Sequence, residues 1–174
     1  MSNIKAFEDG TTTRKYDVRG DRGEWLATVF LDARGIFSTV SDYGNYGYWW
    51  GDVGGNGDIR SFLLRSDRDP DYFQNKLDPS EHYDGEATVN AIRKLVIDLR
   101  RRKEIGKDEA REEYDNARLA RHDFSEWYWT ISTVEIPSDV YETRPNPQVV
   151  AFMREVMPRL CVLIRAEIVG SAKE

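Results

Sequence analysis

The stretch EWLATVFLDARGIFSTVSDY, residues 24–43, decides the fold of this chain. Its first run, Glu24–Leu31, has the two-residue period of a β-strand, and a second run of strand character covers Ile36–Tyr43. Between the two runs, Asp32–Gly35 has the composition of a tight turn, and Gly35 supplies the positive φ that such turns need. The stretch therefore predicts a β-hairpin. One face of its first strand carries Trp25, Ala27, Val29 and Leu31, and the other carries Leu26, Thr28 and Phe30.

Further strands extend the hairpin on both sides. Thr11–Val18 is rich in β-branched and charged residues, which favours an edge strand, and Gly20–Gly23 follows it as a turn. On the other side, Tyr46–Trp50 follows a turn at Gly44-Asn45. The first half of the chain is thus predicted to be an antiparallel β-meander.

The second half has helical periodicity. Asp58–Ser66 reads as a short amphipathic helix, and Asp69 with Pro70 has the composition of a second helix start. Glu86–Glu104 is the clearest helix, and we expect its apolar stripe to pack on a face of the sheet. That stripe comprises Val89, Ile92, Leu95, Val96 and Leu99.

A helical hairpin is predicted next. Gly106 is expected to end the Glu86–Glu104 helix as its C′ residue. Lys107–Arg121 forms the second arm. Its inward positions are predicted to be Ala110, Tyr114 and Ala117.

The last third of the chain combines an alternating pattern with a long apolar segment. Trp127, Trp129 and Ile131 alternate, which suits a strand. Pro147–Ile168 predicts an apolar helix that Pro158 kinks or splits.

Length and composition predict a single α+β domain spanning residues 1–174. A chain of 174 residues can bury roughly 70% of the surface that its unfolded form exposes, so no disulfide, metal or cofactor is needed for folding. Its one cysteine, Cys161, lies in an apolar run and is predicted to be a buried thiol. No signal peptide or membrane span is evident, which predicts a cytoplasmic protein.

The most unusual composition lies at residues 42–58, where aromatic residues alternate with glycines. Such rings can form a stacking platform for a base, a sugar or a partner side chain. The candidate platform residues are Tyr43, Tyr46, Tyr48 and Trp49. The alternative interpretation places Tyr46, Tyr48 and Trp50 on the core side of a strand.

The glycine-rich loop that follows does not match three common ion-binding or nucleotide-binding motifs. Asp52–Asp58 lacks the spacing and the final glutamate of a calcium loop, and it matches neither a Walker A nor a dinucleotide motif. We expect it to be a turn in which Asp58 caps the following helix.

Charged clusters supply the remaining candidates. A basic run either complements the dipole of a helix C-terminus or binds phosphate, and it comprises Arg100, Arg101, Arg102 and Lys103. Two acidic clusters are candidate partner-binding surfaces, with a solvated surface as the alternative. They comprise Asp67, Asp69 and Asp71, and Asp108, Glu109, Glu112 and Glu113. No metal-ligand spacing or nucleophile motif is evident, so no enzyme activity is predicted.

Several segments resemble a loose group of small bacteriophage and prophage accessory proteins. The resemblance covers roughly residues 24–121, and it transfers no activity to particular residues. The segments that carry it are Ser41–Gly51, Phe62–Leu64, Asp71–Leu77, Ile97–Arg101 and Glu109–Glu112.

This resemblance implies a protein that disables host defence, in the manner of an anti-CRISPR protein. The net charge of −6 suits contact with a basic host surface. The first hypothesis is a non-enzymatic inhibitor in the host cytoplasm that binds a host defence protein or ribonucleoprotein complex. The second is a module for nucleotides or single-stranded nucleic acid that uses the aromatics of residues 43–50 and the basic run. No membrane partner is expected.

Overall fold

A computed structural model describes residues 3–6, 12–54, 58–130, 132 and 137–171. The fold is α+β, with an antiparallel sheet followed by helices, as the sequence predicts. Contacts divide the chain into two compact units. Unit 1 comprises residues 1–80 and 145–174, and unit 2 comprises residues 81–144.

Unit 1 is built on a five-stranded antiparallel sheet whose strand order follows the chain. Its strands are β1 (Asn3–Ala6), β2 (Thr12–Arg19), β3 (Trp25–Asp32), β4 (Ile36–Ser41) and β5 (Tyr46–Trp49). The predicted hairpin is confirmed: Ile36 pairs with Asp32, and Gly35 closes the turn at φ 90°. The prediction of an edge strand over residues 11–18 is wrong, because β1 pairs with the outer side of β2.

Helices and two short strands complete the chain. The helices are α1 (Ile59–Leu63), α2 (Pro70–Leu77), α3 (Gly85–Arg101), α4 (Lys107–Asn116), α5 (Phe124–Thr130), α6 (Pro147–Glu155) and α7 (Met157–Ser171). A small second sheet pairs β6 (Glu81–Tyr83) with β7 (Thr143–Pro145). The predicted caps are confirmed: Asp58 accepts from the Arg60 amide at 2.9 Å, and Asp69 accepts from the Tyr72 amide at 3.2 Å.

The core of unit 1 lies between one face of the sheet and the helices α1, α2, α6 and α7. Phe152 of α6 sits at its centre, with ring centroids 6.3 Å from Phe37 and 4.9 Å from Tyr46. Burial of large apolar side chains such as these is the main favourable contribution to folding. The fully enclosed members of this core include Val18, Val29, Leu63, Val149, Leu160 and Ile164.

The predicted break in the C-terminal helix is also confirmed. The helix α6 ends at Glu155 and α7 begins at Met157, so that Pro158 occupies the second position of α7. Proline has no backbone N–H, so it fits the first turn of a helix but not its interior.

Cys161 of α7 is buried, as predicted, with its Sγ atom 3.5 Å from the Ser66 hydroxyl.

Unit 2 has its own hydrophobic cluster, to which the helices α3, α4 and α5 contribute. Buried side chains on α3 include Val89, Ile92 and Val96. They pack with residues of unit 2, such as Ala117 and Trp127, so the expectation that this stripe packs on the sheet is wrong.

The arms α3 and α4 run antiparallel, as predicted. Tyr114, near the end of α4, accepts at its carbonyl from Arg93 at 3.4 Å, and the loop after α3 places the Ile105 carbonyl 3.4 Å from Arg100. The second arm does not stay α-helical to Arg121, because Ala117–Arg121 is a 3₁₀ segment.

Two details of this hairpin differ from the prediction. Gly106 is the N-cap of α4, at φ −70°, and the left-handed position after α3 is taken by Lys103 at φ 62°. Of the predicted inward positions, Ala117 is buried in the cluster of unit 2 and Ala110 packs against it, as predicted. Tyr114 is exposed instead, and the neighbouring Glu113 is buried.

The predicted strand over Trp127, Trp129 and Ile131 is wrong where the structure describes it. Residues 124–130 form α5, and Ile131 lies outside the described residues. Phe124, Trp127 and Tyr128 have helical i, i+3, i+4 spacing, and all three belong to the cluster of unit 2. That shared burial favours the helix over the alternating pattern.

Candidate functional site

The aromatic stretch 43–50 contributes mainly to the core of unit 1. Tyr46 and Trp50 are buried, and the Tyr46 hydroxyl donates to the Tyr43 carbonyl at 2.6 Å. Tyr43 and Tyr48 are half-buried against the same core. The alternative interpretation is therefore confirmed, and Tyr46 is not an exposed platform residue, because its side chain points inward. Trp49 alone among the four candidates is well exposed, at 65%.

Trp49 belongs to a larger apolar surface on the outer side of the sheet. Ile36 pairs directly with Trp49 across β4 and β5. Phe30 pairs with Ser38, which places it diagonally between Ile36 and Val40 on the same face. These four side chains, which are all exposed, form a continuous band across three strands. We call this band, Phe30, Ile36, Val40 and Trp49, the outer apolar face.

The indole groups at this surface have their N–H groups occupied internally. Trp49 Nε1 donates to the Arg34 carbonyl at 3.0 Å. Trp25, which extends the surface at the start of β3, donates from Nε1 to the Thr28 hydroxyl at 3.1 Å. What both rings offer to solvent is therefore mainly apolar surface.

One pair of opposite charges, Lys15 and Asp17, borders this surface. Lys15 Nζ lies 3.0 Å from Asp17 Oδ2, and the Thr28 hydroxyl donates to Asp17 at 2.9 Å. These hydrogen bonds from Lys15 and Thr28 hold the pKa of Asp17 below its usual value. Each charge of this rim pair is therefore matched by an opposite charge.

A partly buried polar network lies on the helix side of the sheet, where sequence reasoning predicts nothing. Glu167 of α7 accepts hydrogen bonds from Arg14 and from the Tyr16 hydroxyl, and Arg60 lies 3.6 Å from the same carboxylate. Asp58 in turn pairs with Arg60 at 2.9 Å. Because these residues come from β2, α1 and α7, no local sequence pattern could have revealed the network.

The electrostatics of this network are those of a structural ion cluster. Burial raises the pKa of Tyr16, so its hydroxyl stays protonated and continues to donate. Burial by itself raises the pKa of Asp58 as well, but hydrogen bonds from Arg60 outweigh this effect and lower it. The cluster thus fastens the C-terminal helix to the sheet. Within the described ranges, no three His, Cys, Asp or Glu side chains come together in a group that would hold a metal ion.

The first acidic cluster is largely engaged in contacts within unit 1. Asp67 forms an ion pair with Arg165 at 2.9 Å, and Asp69 is the N-cap of α2. Asp71 is exposed in the first turn of the same helix, where a carboxylate is favoured by the helix dipole.

The second acidic cluster is divided by the orientation of α4. Asp108, Glu109 and Glu112 are exposed, and Glu109 also accepts from the Gly106 amide at 3.1 Å. Glu113 is buried, so it is not part of an exposed acidic surface, which corrects its selection as a contact residue. The exposed acidic surface of α4 is therefore Asp108, Glu109 and Glu112.

The four residues of the basic run, 100–103, also lie in different surroundings. Arg101 pairs with Asp98 at 3.3 Å, and Arg102 pairs with Glu104 at 3.2 Å. Arg100 lines a groove between α3 and α4, together with Arg101. Lys103 follows the helix in its left-handed conformation. The run thus complements the end of α3, and only its first half contributes to the groove.

No helix in the described ranges combines the length and the apolar character needed to cross a membrane. Comparison with protein-family models gives a match to Phage_phiTE_072, which is described as a phage family, over residues 4–166. No curated protein and no solved structure matches the chain. The family match extends beyond residues 24–121, which carried the resemblance. The chain therefore belongs to this phage family.

Proposed function

We propose that this chain is a phage accessory protein that binds a host defence protein, or a ribonucleoprotein complex, in the host cytoplasm and inhibits it. The observation that carries the proposal is the outer apolar face, where Phe30, Ile36, Val40 and Trp49 are exposed side by side. Contiguous apolar patches on soluble proteins commonly mark contact surfaces. Membership of a phage family supports the context of host interaction.

The chemistry of this surface favours a polypeptide partner over a nucleic acid. The rim pair Lys15 and Asp17 is neutral as a whole, so it provides no net attraction for phosphates. The indole N–H groups of Trp25 and Trp49 are already used. A partner with its own apolar patch gains most here, because aromatic side chains dominate the binding energy of protein interfaces.

Inhibition is proposed to be stoichiometric, without turnover. The polar network around Glu167 has its charges compensated internally, as expected of a group that holds helices in place. The side chains of the outer apolar face carry no group that titrates near neutral pH, so this surface suits binding rather than proton transfer.

The interface is tested by the variant Val40→Lys with Val169→Lys as its matched control. Both valines are exposed, at 51% and 59%, but Val169 lies on α7, away from the outer face of the sheet. Each variant would be expressed as affinity bait in a phage-susceptible host, and its co-purifying proteins quantified. We expect Val40→Lys to reduce capture of a specific host protein at least about tenfold, since a charge is forced into an apolar contact. The control should retain capture.

The variants Val40→Lys and Val169→Lys also test whether the chain inhibits a host defence system. Expression of the wild-type chain should restore phage plating on a strain that carries the captured defence system, and Val40→Lys should not. Equal capture and equal protection by both variants would contradict the outer apolar face as the interface. A concentration-dependent dimer that Val40→Lys abolishes, with no host protein captured, would assign this surface to self-association instead.

Stoichiometry separates a binder from an enzyme. Titration of purified target with the chain should remove target activity in proportion to the molar ratio and reach completion near equivalence. Progressive loss of target activity at a small fraction of equivalence would contradict the non-enzymatic proposal.

The exposed acidic surface of α4 is a second candidate contact, suited to a basic host surface. Reversal of Asp108, Glu109 and Glu112 to lysine should slow association with the captured target and reduce its dependence on salt. An unchanged association rate would leave this surface without a role in recognition.

A further inference from the structure

A groove between α3 and α4 collects positive charge in a chain that is acidic as a whole. Two adjoining stretches of this groove, of about 530 Å³ and about 410 Å³, share Ile97, Arg101 and Tyr114 in their walls. Six basic side chains line them, namely Arg93, Lys94, Arg100, Arg101, Lys107 and Arg111. The carboxylates in the walls are Asp98 and Asp115.

Most of this positive charge is not neutralised within the part of the chain that the structure describes. Arg101 has an ion pair there, with Asp98 at 3.3 Å. The other five basic residues of the groove have no carboxylate partner among the described residues. Their charge is therefore available to an external anion.

The helix α4 presents two cations and one carboxylate, Asp115, to the groove. Lys107, Arg111 and Tyr114 line the groove. Their positions are close to one helical turn apart, whereas Asp108 and Glu112 project about 100° further round the helix. Cations therefore outnumber carboxylates in the groove walls, while Asp108 and Glu112 lie on a different face of α4.

The groove also contains an exposed ring and an apolar wall. Tyr114 and Ile97 are both exposed. The guanidinium carbon of Arg93 lies 4.8 Å from the centroid of the Tyr114 ring, and Arg93 Nε also donates to the Tyr114 carbonyl. A planar cation stacked on an aromatic ring forms a rigid platform of the kind on which nucleobases stack.

From this combination we infer that the groove binds single-stranded nucleic acid. Lys94, Arg100, Lys107 and Arg111 contact successive phosphates, and a base packs beside Tyr114 and Ile97. Arginine is well suited to phosphate because its planar fork donates two hydrogen bonds at once. An aromatic ring among the cations distinguishes this site from a simple acidic-peptide site, because phosphates attract cations while bases require a stacking surface. The inference is independent of the proposed interface on the outer apolar face, which lies in the other unit.

The test uses the full chain and fluorescence anisotropy with labelled poly-dT and poly-U oligonucleotides at several salt concentrations. The double variant Lys107→Glu/Arg111→Glu is compared with Arg68→Glu/Arg118→Glu, which changes the net charge equally at exposed cations outside the groove. We expect the groove variant to bind at least about tenfold more weakly. We also expect its log–log salt slope to become shallower by about 0.7 for each phosphate that the two cations neutralise in the wild type. The control should bind like the wild type.

A second pair of variants tests the base-stacking role. Tyr114→Ala should weaken binding by about 5- to 150-fold, the equivalent of one stacked base, whereas Tyr114→Phe keeps the ring and should keep the affinity. Circular dichroism and thermal unfolding would check that each variant folds.

Four outcomes would overturn the inference. The first is no salt-dependent binding by the wild type, and the second is equal weakening by the groove and control variants. The third is binding of poly-glutamate as tightly as the oligonucleotides with no effect of Tyr114→Ala, which would assign the groove to an acidic polypeptide. Equally tight binding of duplex DNA would contradict single-strand recognition.

Discussion

Trp127 and Trp129 stand two residues apart, yet their side chains occupy opposite environments. Trp127 is 0% exposed and Trp129 is 81% exposed. In a strand, residues at this spacing share one face, whereas in a helix they point about 200° apart. The two tryptophans therefore report directly on whether α5 is a helix.

Alanine substitution at these two positions should have very different effects. Trp127→Ala removes a fully buried ring and should lower the free energy of unfolding by about 3–5 kcal/mol. Trp129→Ala should change it by less than about 0.5 kcal/mol, as is usual at the surface. Urea denaturation followed by circular dichroism measures both. Similar losses for the two variants would restore the strand interpretation.

Cys161 should react slowly with a thiol reagent in the native state. Burial raises the pKa of its thiol, which outweighs the lowering effect of the Ser66 hydrogen bond, so little reactive thiolate is present at pH 8. We expect native labelling by a disulfide reagent to be slow, with a rate set by opening of the structure, and labelling in denaturant to be fast. Rapid native labelling would show that the thiol is accessible.

The link between α3 and α4 is the element where local sequence signals were least decisive. A glycine after a helical run usually marks a C-terminus, but Gly106 caps the start of α4, and Lys103 holds the left-handed position. Both residues lie in the same short link, so the sequence pattern alone fits either assignment. The short loop also reverses the direction of the chain. Which of its residues takes the left-handed conformation depends on how the two arms of the hairpin pack.

Two separate substitutions in this link test which residue, Lys103 or Gly106, needs the left-handed conformation. Lys103→Gly should raise the free energy of unfolding by about 0.5–1 kcal/mol, because glycine adopts a positive φ without a Cβ clash. Gly106→Ser should be neutral or slightly stabilising, since serine is a good N-cap at its negative φ. Thermal unfolding of the two variants provides the measurement. A marked loss with Gly106→Ser would show that Gly106 needs a left-handed conformation.

The elements with strong local signals were predicted well from sequence. The β3–β4 hairpin, the caps Asp58 and Asp69, and the break near Pro158 each depend on neighbouring residues, so short patterns suffice. By contrast, the polar network around Glu167 and the α3–α4 groove join residues that are distant in sequence. These charged groups come together only when the helices and strands pack. The sequence therefore identifies the individual charged residues but not the residues that they contact.

At the scale of the whole molecule, the single domain predicted for residues 1–174 remains a prediction. Each unit has its own buried cluster, and Ile92 and Phe152 are fully buried in different ones. A unit the size of residues 81–144 is marginal by itself, which favours unfolding together with the rest. We therefore expect Ile92→Ala and Phe152→Ala to lower the midpoint of one common transition in urea. Two transitions, each shifted by one variant, would show two independent domains.

The discontinuity of unit 1 has a consequence for synthesis on the ribosome. The helices α6 and α7 contribute Phe152 and Leu160 to the core beside the sheet, but they are translated after the whole of residues 81–144. The inner face of the nascent sheet therefore remains uncovered while residues 81–144 emerge from the ribosome. Since chains generally fold as segments leave the exit tunnel, the middle of this polypeptide can fold before the core of unit 1 is complete.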